Sequence, residues 1–181
     1  MLFGQKKPFS LNTLKIYITG GYVRSNLKIK MALKKAIIGG TFDNFHKGHE
    51  RLLRTAFDVS DFVAIGISSD QFAQRFRTGE VESYKMRCDV ITHFCQQFGK
   101  EFRTFELNDF YGPATTDPEI TTIVVSEETS LRAKEINAVR VKKAIPKLII
   151  VEVPFELADD GNPISSERIR LGTIDKDGNL A

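Results

Sequence analysis

The stretch that decides the fold of this 181-residue chain is Gly39-Gly40-Thr41-Phe42-Asp43-Asn44-Phe45-His46-Lys47-Gly48-His49. A short apolar run at 36–38 precedes it, and apolar side chains at helical spacing follow it, namely Leu52, Leu53, Ala56 and Phe57. This change from strand to helix periodicity predicts a turn that joins a first β-strand to a first α-helix. In an open α/β sheet such turns lie at the carboxyl ends of the strands, where ligands bind.

The residue types in this turn predict a phosphate ligand. Gly39 and Gly40 lack the Cβ atoms that would hold a ligand away from the backbone, and Gly48 permits a tight entry into the helix. The amides of a helix N-terminus attract anions. His46 and His49 are three residues apart across the helix start, so both rings can face one side and donate to phosphate oxygens. The turn contains neither a Walker A loop nor a GxGxxG fingerprint.

Strand-like runs and helical segments alternate along the rest of the chain. The predicted strands lie at 36–38, 62–67, 102–107, 121–125 and 148–153. This alternation predicts a single α/β domain over residues 31–181, with a Rossmann-like, doubly wound parallel sheet of five strands. Right-handed crossovers place the strand carboxyl ends along one edge of the sheet. We therefore expect the motifs that follow the strands to lie near one another.

A helix predicted at about 84–98 presents one apolar stripe, which we expect to pack on the sheet. The stripe consists of Met86, Val90, Ile91, Phe94, Cys95 and Phe98. Arg87 and His93 then fall on the polar face. Cys88 and Cys95 are about 10 Å apart along this helix, which is too far for a disulfide. Unpaired cysteines favour a reducing, cytoplasmic location.

The first 30 residues are markedly basic. They contain six Lys or Arg residues and no Asp or Glu, whereas the remainder contains 20 basic and 23 acidic residues. Basic leaders occur in proteins that bind nucleic acid or membrane surfaces and in targeting segments. Met31 stands just before the first strand, and no signal-peptide apolar region is present. We therefore interpret residues 1–30 as a poorly packed extension or the product of an upstream start codon.

The turn resembles the GTFD and HxGH signature of the nucleotidylyltransferase superfamily. Downstream strings are similar to those of archaeal phosphopantetheine adenylyltransferases: Val124-Val125-Ser126-Glu127-Glu128-Thr129, Ile136-Asn137-Ala138-Val139-Arg140 and Ile164-Ser165-Ser166-Glu167-Arg168-Ile169-Arg170. The resemblance covers about residues 33–171. It implies transfer of AMP from ATP to 4′-phosphopantetheine, with Mg²⁺ bound to ATP, giving dephospho-CoA and pyrophosphate in coenzyme A biosynthesis.

The resemblance implies catalytic roles for three residues of the turn. His49 would contact the α-phosphate in the transition state, His46 the nucleotide phosphates, and Thr41 would orient the acceptor phosphate. The acceptor phosphate has a second pKa of about 6, so it is largely a dianion at pH 7 and needs no general base. The sequence predicts no metal site of its own, because no carboxylate cluster is evident and a zinc site at His46 and His49 has no obvious third ligand.

A second anion-binding turn is predicted near the C-terminus. Ser165 and Ser166 precede a short helix that carries Arg168 and Arg170, so hydroxyls, amides and guanidinium groups converge there. The resemblance implies that this turn holds the β- and γ-phosphates of ATP. The full set of nucleotide-binding residues implied by the resemblance is Gly40, Phe42, Gly48, Glu127, Ser165, Ser166 and Arg168.

Several further polar residues are assigned roles. Ser126 is a plausible N-cap for the helix after the fourth strand. The resemblance suggests that Asn137 and Arg140 support the site. Arg77 and Arg87 are our candidates for binding the acceptor, although both also fit structural roles. The polar stretch 108–118 is long for a compact domain and is interpreted as a lid or binding loop.

Alternatives from other functional classes remain open. The same signature serves flavin and nicotinamide adenylyltransferases and cytidylyltransferases, although a missing RTxGxST-type string disfavours the cytidylyl branch. A non-catalytic nucleotide sensor would keep the phosphate-binding turns without turnover, and its basic leader would contact RNA or a partner. Salt-dependent RNA binding by the full chain, but not by residues 31–181, would indicate that function. Otherwise we expect the partners to be ATP and 4′-phosphopantetheine, without nucleic acid or membrane.

Overall fold

The computed structural model describes residues 15–18, 21–24, 34–76 and 79–181. Within these ranges the chain forms one seven-stranded sheet with helices on both faces. The strands are β1 (Lys15–Ile18), β2 (Gly21–Arg24), β3 (Lys35–Gly40), β4 (Phe62–Ser68), β5 (Glu101–Leu107), β6 (Thr122–Ser126) and β7 (Ile149–Val153). The helices are α1 (Lys47–Val59), α2 (Asp70–Gln74), α3 (Tyr84–Gln96), α4 (Ser130–Lys142) and α5 (Ser166–Arg170), with a 3₁₀ turn at Gly112–Thr115.

The sheet is doubly wound around β3. Its strand order is β2-β1-β7-β6-β3-β4-β5, and β3 to β7 are parallel. The chain runs outward from β3 through β4 to β5, then returns to the other side of β3 for β6 and β7. The order therefore reverses between β3 and β6, which is where open α/β sheets bind ligands. All five predicted strands are confirmed, with their ends within two residues of the prediction.

The predicted count of five strands is too low, because β1 and β2 form an antiparallel hairpin on the edge of β7. Ile16 pairs with Val151, and its side chain is 3% exposed within the same core cluster. Residues 15–18 and 21–24 of the predicted N-terminal extension therefore form strands of the sheet. The remainder of 1–30 lies outside the described residues. A four-residue strand is too short to reveal a period-two pattern.

Two hydrophobic clusters cover the two faces of the sheet. On one face α1 buries Leu53, Ala56 and Phe57, as its helical spacing predicts. On the other face α4 buries Ala133 and Ile136. No helix in the described part of the chain is long and apolar enough to cross a membrane.

The apolar stripe predicted for α3 is partly wrong. Met86 and Val90 are 56% and 42% exposed, whereas Arg87 is fully buried beside Ile91 and Cys95 on the face that meets the sheet. Positions 87, 91 and 95 are four residues apart and therefore share one helix face. An arginine can occupy a core position when its donors find acceptors, and Arg87 donates to oxygens at the strand ends.

Candidate active site

The turn after β3 is held in a strained backbone conformation. Phe42 and Asn44 have φ angles of 57° and 46°, which lie in the left-handed region that residues other than glycine rarely adopt. Each such residue costs about 1 kcal/mol or more, so the surroundings must hold the turn in place. The backbone amide of Asn44 donates to the Glu82 carboxylate at 3.0 Å. Strain of this kind is common at active sites.

Asp43 lies between the two strained residues and joins three segments of the chain. Its side chain is 1% exposed and accepts from the backbone amide of Glu82 at 2.9 Å and from Arg170 Nη2 at 2.6 Å. Its carbonyl oxygen accepts from the Ser166 hydroxyl at 2.6 Å. Two bonds from α5 therefore converge on one residue of the first motif. They fix the two predicted phosphate-binding turns relative to each other.

His46 caps α1 and thereby fixes its own protonation pattern. Its Nδ1 atom accepts from the amide of Gly48 at 3.1 Å. A ring nitrogen that accepts a hydrogen bond carries no proton, so the proton of neutral His46 is on Nε2. That atom is then a hydrogen-bond donor, as a phosphate-binding role requires.

The two histidine rings stack on each other. Their centroids are 3.8 Å apart with an interplanar angle of 28°. The ring of His49 also meets the edge of Phe42 at 5.2 Å and stacks on Phe45 at 5.9 Å. Three aromatic neighbours therefore restrict the orientation of His49. The structure brings His46 and His49 together at the start of α1, as the sequence predicts.

The amides at the start of α1 are less available than the sequence suggests. The amide of Lys47 donates to the carbonyl of Lys176 at 3.1 Å, and that of Gly48 donates to His46. The C-terminal tail therefore closes over the first turn of the helix. Anion binding at this turn would rest more on the imidazoles than on these two amides.

Two glycines of the motif make room for rings. A Cβ atom at Gly48 would lie 2.9 Å from His46 Cε1, and one at Gly40 would lie 3.2 Å from Phe42 Cε2. The Phe42 side chain is 2% exposed and belongs to the core. Phe42 was predicted to bind the nucleotide, and in the structure its ring contacts the ring of His49. Gly40 does line the pocket described next, whereas Gly48 serves mainly to seat the His46 ring.

A pocket of about 370 Å³ opens at the carboxyl ends of β3, β4 and β6. Gly40 and Thr41 form one side of it, and Thr41 thus lies where the motif meets the pocket. Its apolar lining residues are Phe72, Ala73, Phe76, Leu107, Phe110, Ile123, Val125, Ala133 and Ile136. Its polar lining residues are Thr41, Ser68, Asp109, Glu128, Thr129 and Arg132. Such a cavity suits a ligand with both apolar and polar parts.

The loop at 108–118 contributes directly to the pocket. Asp109 and Phe110 line it, and the Asp109 carboxylate accepts from the amides of Tyr111 and Gly112 at 2.7 Å each. The guanidinium carbon of Arg132 lies 3.6 Å from the centroid of the Phe110 ring. This stacked cation ties the loop to α4 across the pocket mouth.

Two buried arginines donate hydrogen bonds to backbone carbonyls near the ends of the strands. Arg87 donates to the carbonyls of Thr41 and Ser68 at 2.8 Å each, to Asp70 at 2.7 Å and to Glu82. Because its side chain is fully buried and bonded to protein oxygens, it positions the pocket residues and does not bind the acceptor directly. Arg140, equally buried, donates to four carbonyls, those of Ala114, Asp117, Ile120 and Pro146. Arg77 lies outside the described residues.

Helix α5 uses its predicted nucleotide-binding side chains within the protein. Ser165 caps the helix by accepting from the amide of Arg168, and the Ser166 hydroxyl donates to Asp43. Arg168 pairs with Asp160 at 2.6 Å, so it faces the turn before the helix. The Asn162 amide, together with Arg168, lowers the pKa of Asp160. Arg170, which the sequence placed in the same anion-binding turn as Arg168, pairs instead with Asp43 of the first motif.

The turn between β6 and α4 also differs from its prediction. Helix α4 begins at Ser130, with Thr129 as its N-cap residue, so Ser126 does not cap it. Glu127 was predicted to bind nucleotide, but its carboxylate pairs with Lys15 at 3.3 Å. Its neighbours Glu128 and Thr129 line the pocket.

The sequence analysis assigned no role to Asp43 or Glu82, and it placed Arg170 only in the second anion-binding turn. A carboxylate within a glycine-rich turn was the available signal for Asp43, and its partners lie 39 and 127 residues away along the chain. Sequence periodicity contains no information about contacts between residues so far apart in the chain. Asn137, expected to support the site, bonds the amide and carbonyl of Leu148 and so anchors the start of β7.

The described residues supply no ready-made metal cage. No group of three or more His, Cys, Asp or Glu side chains in the ranges given above is arranged to hold a metal ion.

Comparisons with known proteins agree with this geometry. Residues 37–172 match the family described as cytidylyltransferase-like. The chain is 43% identical over 143 residues to the phosphopantetheine adenylyltransferase of Methanothermobacter thermautotrophicus, covering 79% of this chain and 87% of that protein. It is 41% identical over 145 residues to that of Methanopyrus kandleri, covering 79% and 92%. A solved protein of unknown function from Archaeoglobus fulgidus has a TM-score of 0.61 at 30% identity, covering 66% of this chain and 88% of its own.

Proposed function

The chain belongs to the cytidylyltransferase-like family, and we propose that it is the member that transfers AMP from ATP to 4′-phosphopantetheine. The products are dephospho-CoA and pyrophosphate, and the reaction belongs to coenzyme A biosynthesis. The named relatives, which are similar over 79% of this chain, support this activity. The structural observation that carries the proposal is that one turn supplies both the stacked histidine pair at the start of α1 and two residues of the pocket lining, Gly40 and Thr41.

The pocket suits the pantetheine arm of the acceptor better than it suits a nucleotide. The pantetheine arm combines a dimethyl-substituted carbon and methylene groups with two amides, and the pocket lining likewise combines apolar and polar side chains. Its volume of about 370 Å³ lies within the range of small-molecule sites. With the arm in the pocket, the acceptor phosphate would lie beside Thr41 and face the histidines. The nucleotide would then occupy the side of the turn toward α5.

The transfer requires alignment rather than a protein nucleophile. An oxygen of the acceptor phosphate attacks the α-phosphorus of ATP and forms a new P–O bond. The bond from the α-phosphorus to the bridging oxygen breaks, and pyrophosphate leaves with that electron pair. Because the acceptor is already a dianion, no proton has to be removed by the protein. The site instead supplies donors that stabilise charge as it develops on the transferred group.

We assign these donors from their positions. His49 would donate to the α-phosphate, and its ring is held in orientation by His46, Phe42 and Phe45. His46 would donate from Nε2 to the nucleotide phosphates, since its Nδ1 is occupied by the helix cap. Thr41 would orient the acceptor phosphate. Mg²⁺ bound to the triphosphate would neutralise part of its charge.

The proposal is tested by pyrophosphate release from the purified full chain with Mg²⁺. ATP and CTP are each combined with 4′-phosphopantetheine, nicotinamide mononucleotide, FMN and glycerol 3-phosphate. We expect turnover with ATP and 4′-phosphopantetheine alone. A different productive pair would keep the fold and change the substrate assignment. Absence of turnover with every pair, while MgATP still binds, would favour a nucleotide sensor.

A further inference from the structure

A lysine from the N-terminal hairpin contacts two carboxylates beside the pocket. Lys15 Nζ lies 3.0 Å from Glu152 on β7 and 3.3 Å from Glu127 in the turn after β6. Lys15 and Glu152 are directly opposite each other in the antiparallel pair of β1 and β7. Directly opposed charges of opposite sign stabilise a strand pair. Lys15 lies outside residues 37–172, the part of the chain that matches the family.

Glu152 needs a cation because it is buried. Its side chain is 9% exposed, and its second carboxylate oxygen accepts from the Ser130 hydroxyl at the first residue of α4. Burial of a carboxylate is costly unless the charge is paired and hydrogen-bonded. Lys15 supplies the pairing charge and Ser130 the hydrogen bond. The hairpin is anchored on the opposite face of the sheet by Ile16, which is 3% exposed.

The residues that these bonds hold form one wall of the pocket. Ser130 and Glu127 flank Glu128 and Thr129, both of which line the pocket, and Arg132, which also lines it, lies two positions after Ser130 on the helix. Loss of Lys15 would leave the carboxylates of Glu127 and Glu152 without the ammonium they share. Their repulsion would act directly on the turn at 126–130.

We propose that the N-terminal hairpin is a working part of the active site, and that Lys15 is a positioning residue that holds the 126–130 turn as the acceptor-binding wall of the pocket. The proposal rests on the proposed function for the identity of the acceptor. It makes residues 15–18 and 21–24 a functional part of the chain rather than a dispensable leader. Lys15 itself touches neither substrate.

Lys15→Ala tests the proposal, with Lys35→Ala as the matched control. Lys35 also comes from a strand and also bridges two carboxylates, Asp117 and Glu119, but it lies at the opposite end of the sheet. Two quantities are measured for each full-length variant. The first is hydrogen exchange of the backbone amides at 126–132, and the second is the Kd of 4′-phosphopantetheine and of MgATP by calorimetry.

In Lys15→Ala we expect faster exchange at 126–132 and a Kd for 4′-phosphopantetheine raised about three- to tenfold, with the Kd of MgATP changed by less than about twofold. Lys15→Arg should keep both the exchange at 126–132 and the Kd for 4′-phosphopantetheine close to their wild-type values. The Lys35 control should change neither. In a Glu127→Gln background, Lys15→Ala should have a smaller effect, because the two residues act through one contact.

Unchanged exchange at 126–132 would overturn the proposal whatever the activity. Faster exchange with an unchanged acceptor Kd would also overturn it, because the wall would then not serve the acceptor. If the wild-type chain neither binds nor converts 4′-phosphopantetheine, the proposed function fails. The claim that Lys15 holds the turn is then decided by hydrogen exchange alone.

Discussion

Arg170 of α5 donates to the carboxylate of Asp43 at 2.6 Å, and this bond joins the two turns that we propose bind phosphate. The two residues are 127 positions apart in the chain. Asp43 lies between two residues with left-handed backbone angles. One ion pair thus helps to maintain both a strained turn and the spacing of two turns.

Arg170→Met is expected to lower the free energy of unfolding by about 3 kcal/mol, because it leaves a buried carboxylate without its cation. Urea unfolding at pH 7 measures the change. Arg168→Met is the matched control on the same helix. Both arginine side chains are 22% exposed, but the partner of Arg168 is 29% exposed and that of Arg170 is 1% exposed. An equal loss in the two variants would contradict the assigned difference.

His49→Ala is expected to reduce turnover by about 10²-fold or more, because it removes a donor to the transferred phosphate. His46→Asn serves as a comparison. Asparagine is also a good N-cap, so α1 should keep its stability while the Nε2 donor is lost. Initial rates and thermal midpoints of both variants are measured side by side. Near-full turnover by folded His49→Ala would remove His49 from the mechanism.

Gly48→Ala should separate stability from activity. Alanine is favoured over glycine within helices by about 1 kcal/mol, so propensity alone predicts a more stable α1. The added Cβ would, however, lie 2.9 Å from the His46 ring and displace it from its cap and from His49. We expect reduced turnover without a corresponding loss of stability. Unchanged kcat would show that the seating of the His46 ring is not required.

Arg87→Lys and Arg140→Lys form a second matched pair. Both arginines are fully buried, and each donates to four protein oxygens, which a lysine cannot reproduce. We expect similar losses of stability. Only Arg87→Lys should also raise the KM for the acceptor, because Arg87 holds Thr41 and Ser68 at the pocket. Parallel urea titrations and rate measurements distinguish the two effects.

The two cysteines should differ in reactivity. Burial raises the pKa of Cys95 to about 12, so between pH 7 and 9 this thiol stays protonated, and the thiolate that alkylating agents require is scarce. Cys88 is only half-buried. At pH 8 we expect iodoacetamide to label Cys88 first, and Cys95 only after unfolding. Equal labelling of both in the native protein would contradict the described packing of α3.

Much of the fold could be predicted because its signals are local. Five parallel strands and the turn from β3 into α1 follow from periodicity and from the glycine and histidine spacing. The α3 stripe was misread for a physical reason: Arg87 is buried only because carbonyls from β3 and β4 converge on it. Sequence periodicity alone places an arginine on the exposed face of a helix, because it contains no information about hydrogen-bond acceptors on distant strands.

The sequence by itself determined the family motif, the five parallel strands and the placement of His46 beside His49, because each depends on residues close together in the chain. The tertiary structure alone decided which arginine of α5 reaches the first motif, that Phe42 belongs to the core, and that Lys15 contacts the turn at 126–130. Those outcomes depend on contacts between segments that folding brings together. Their free energies depend on burial and on partner geometry, neither of which a linear sequence specifies.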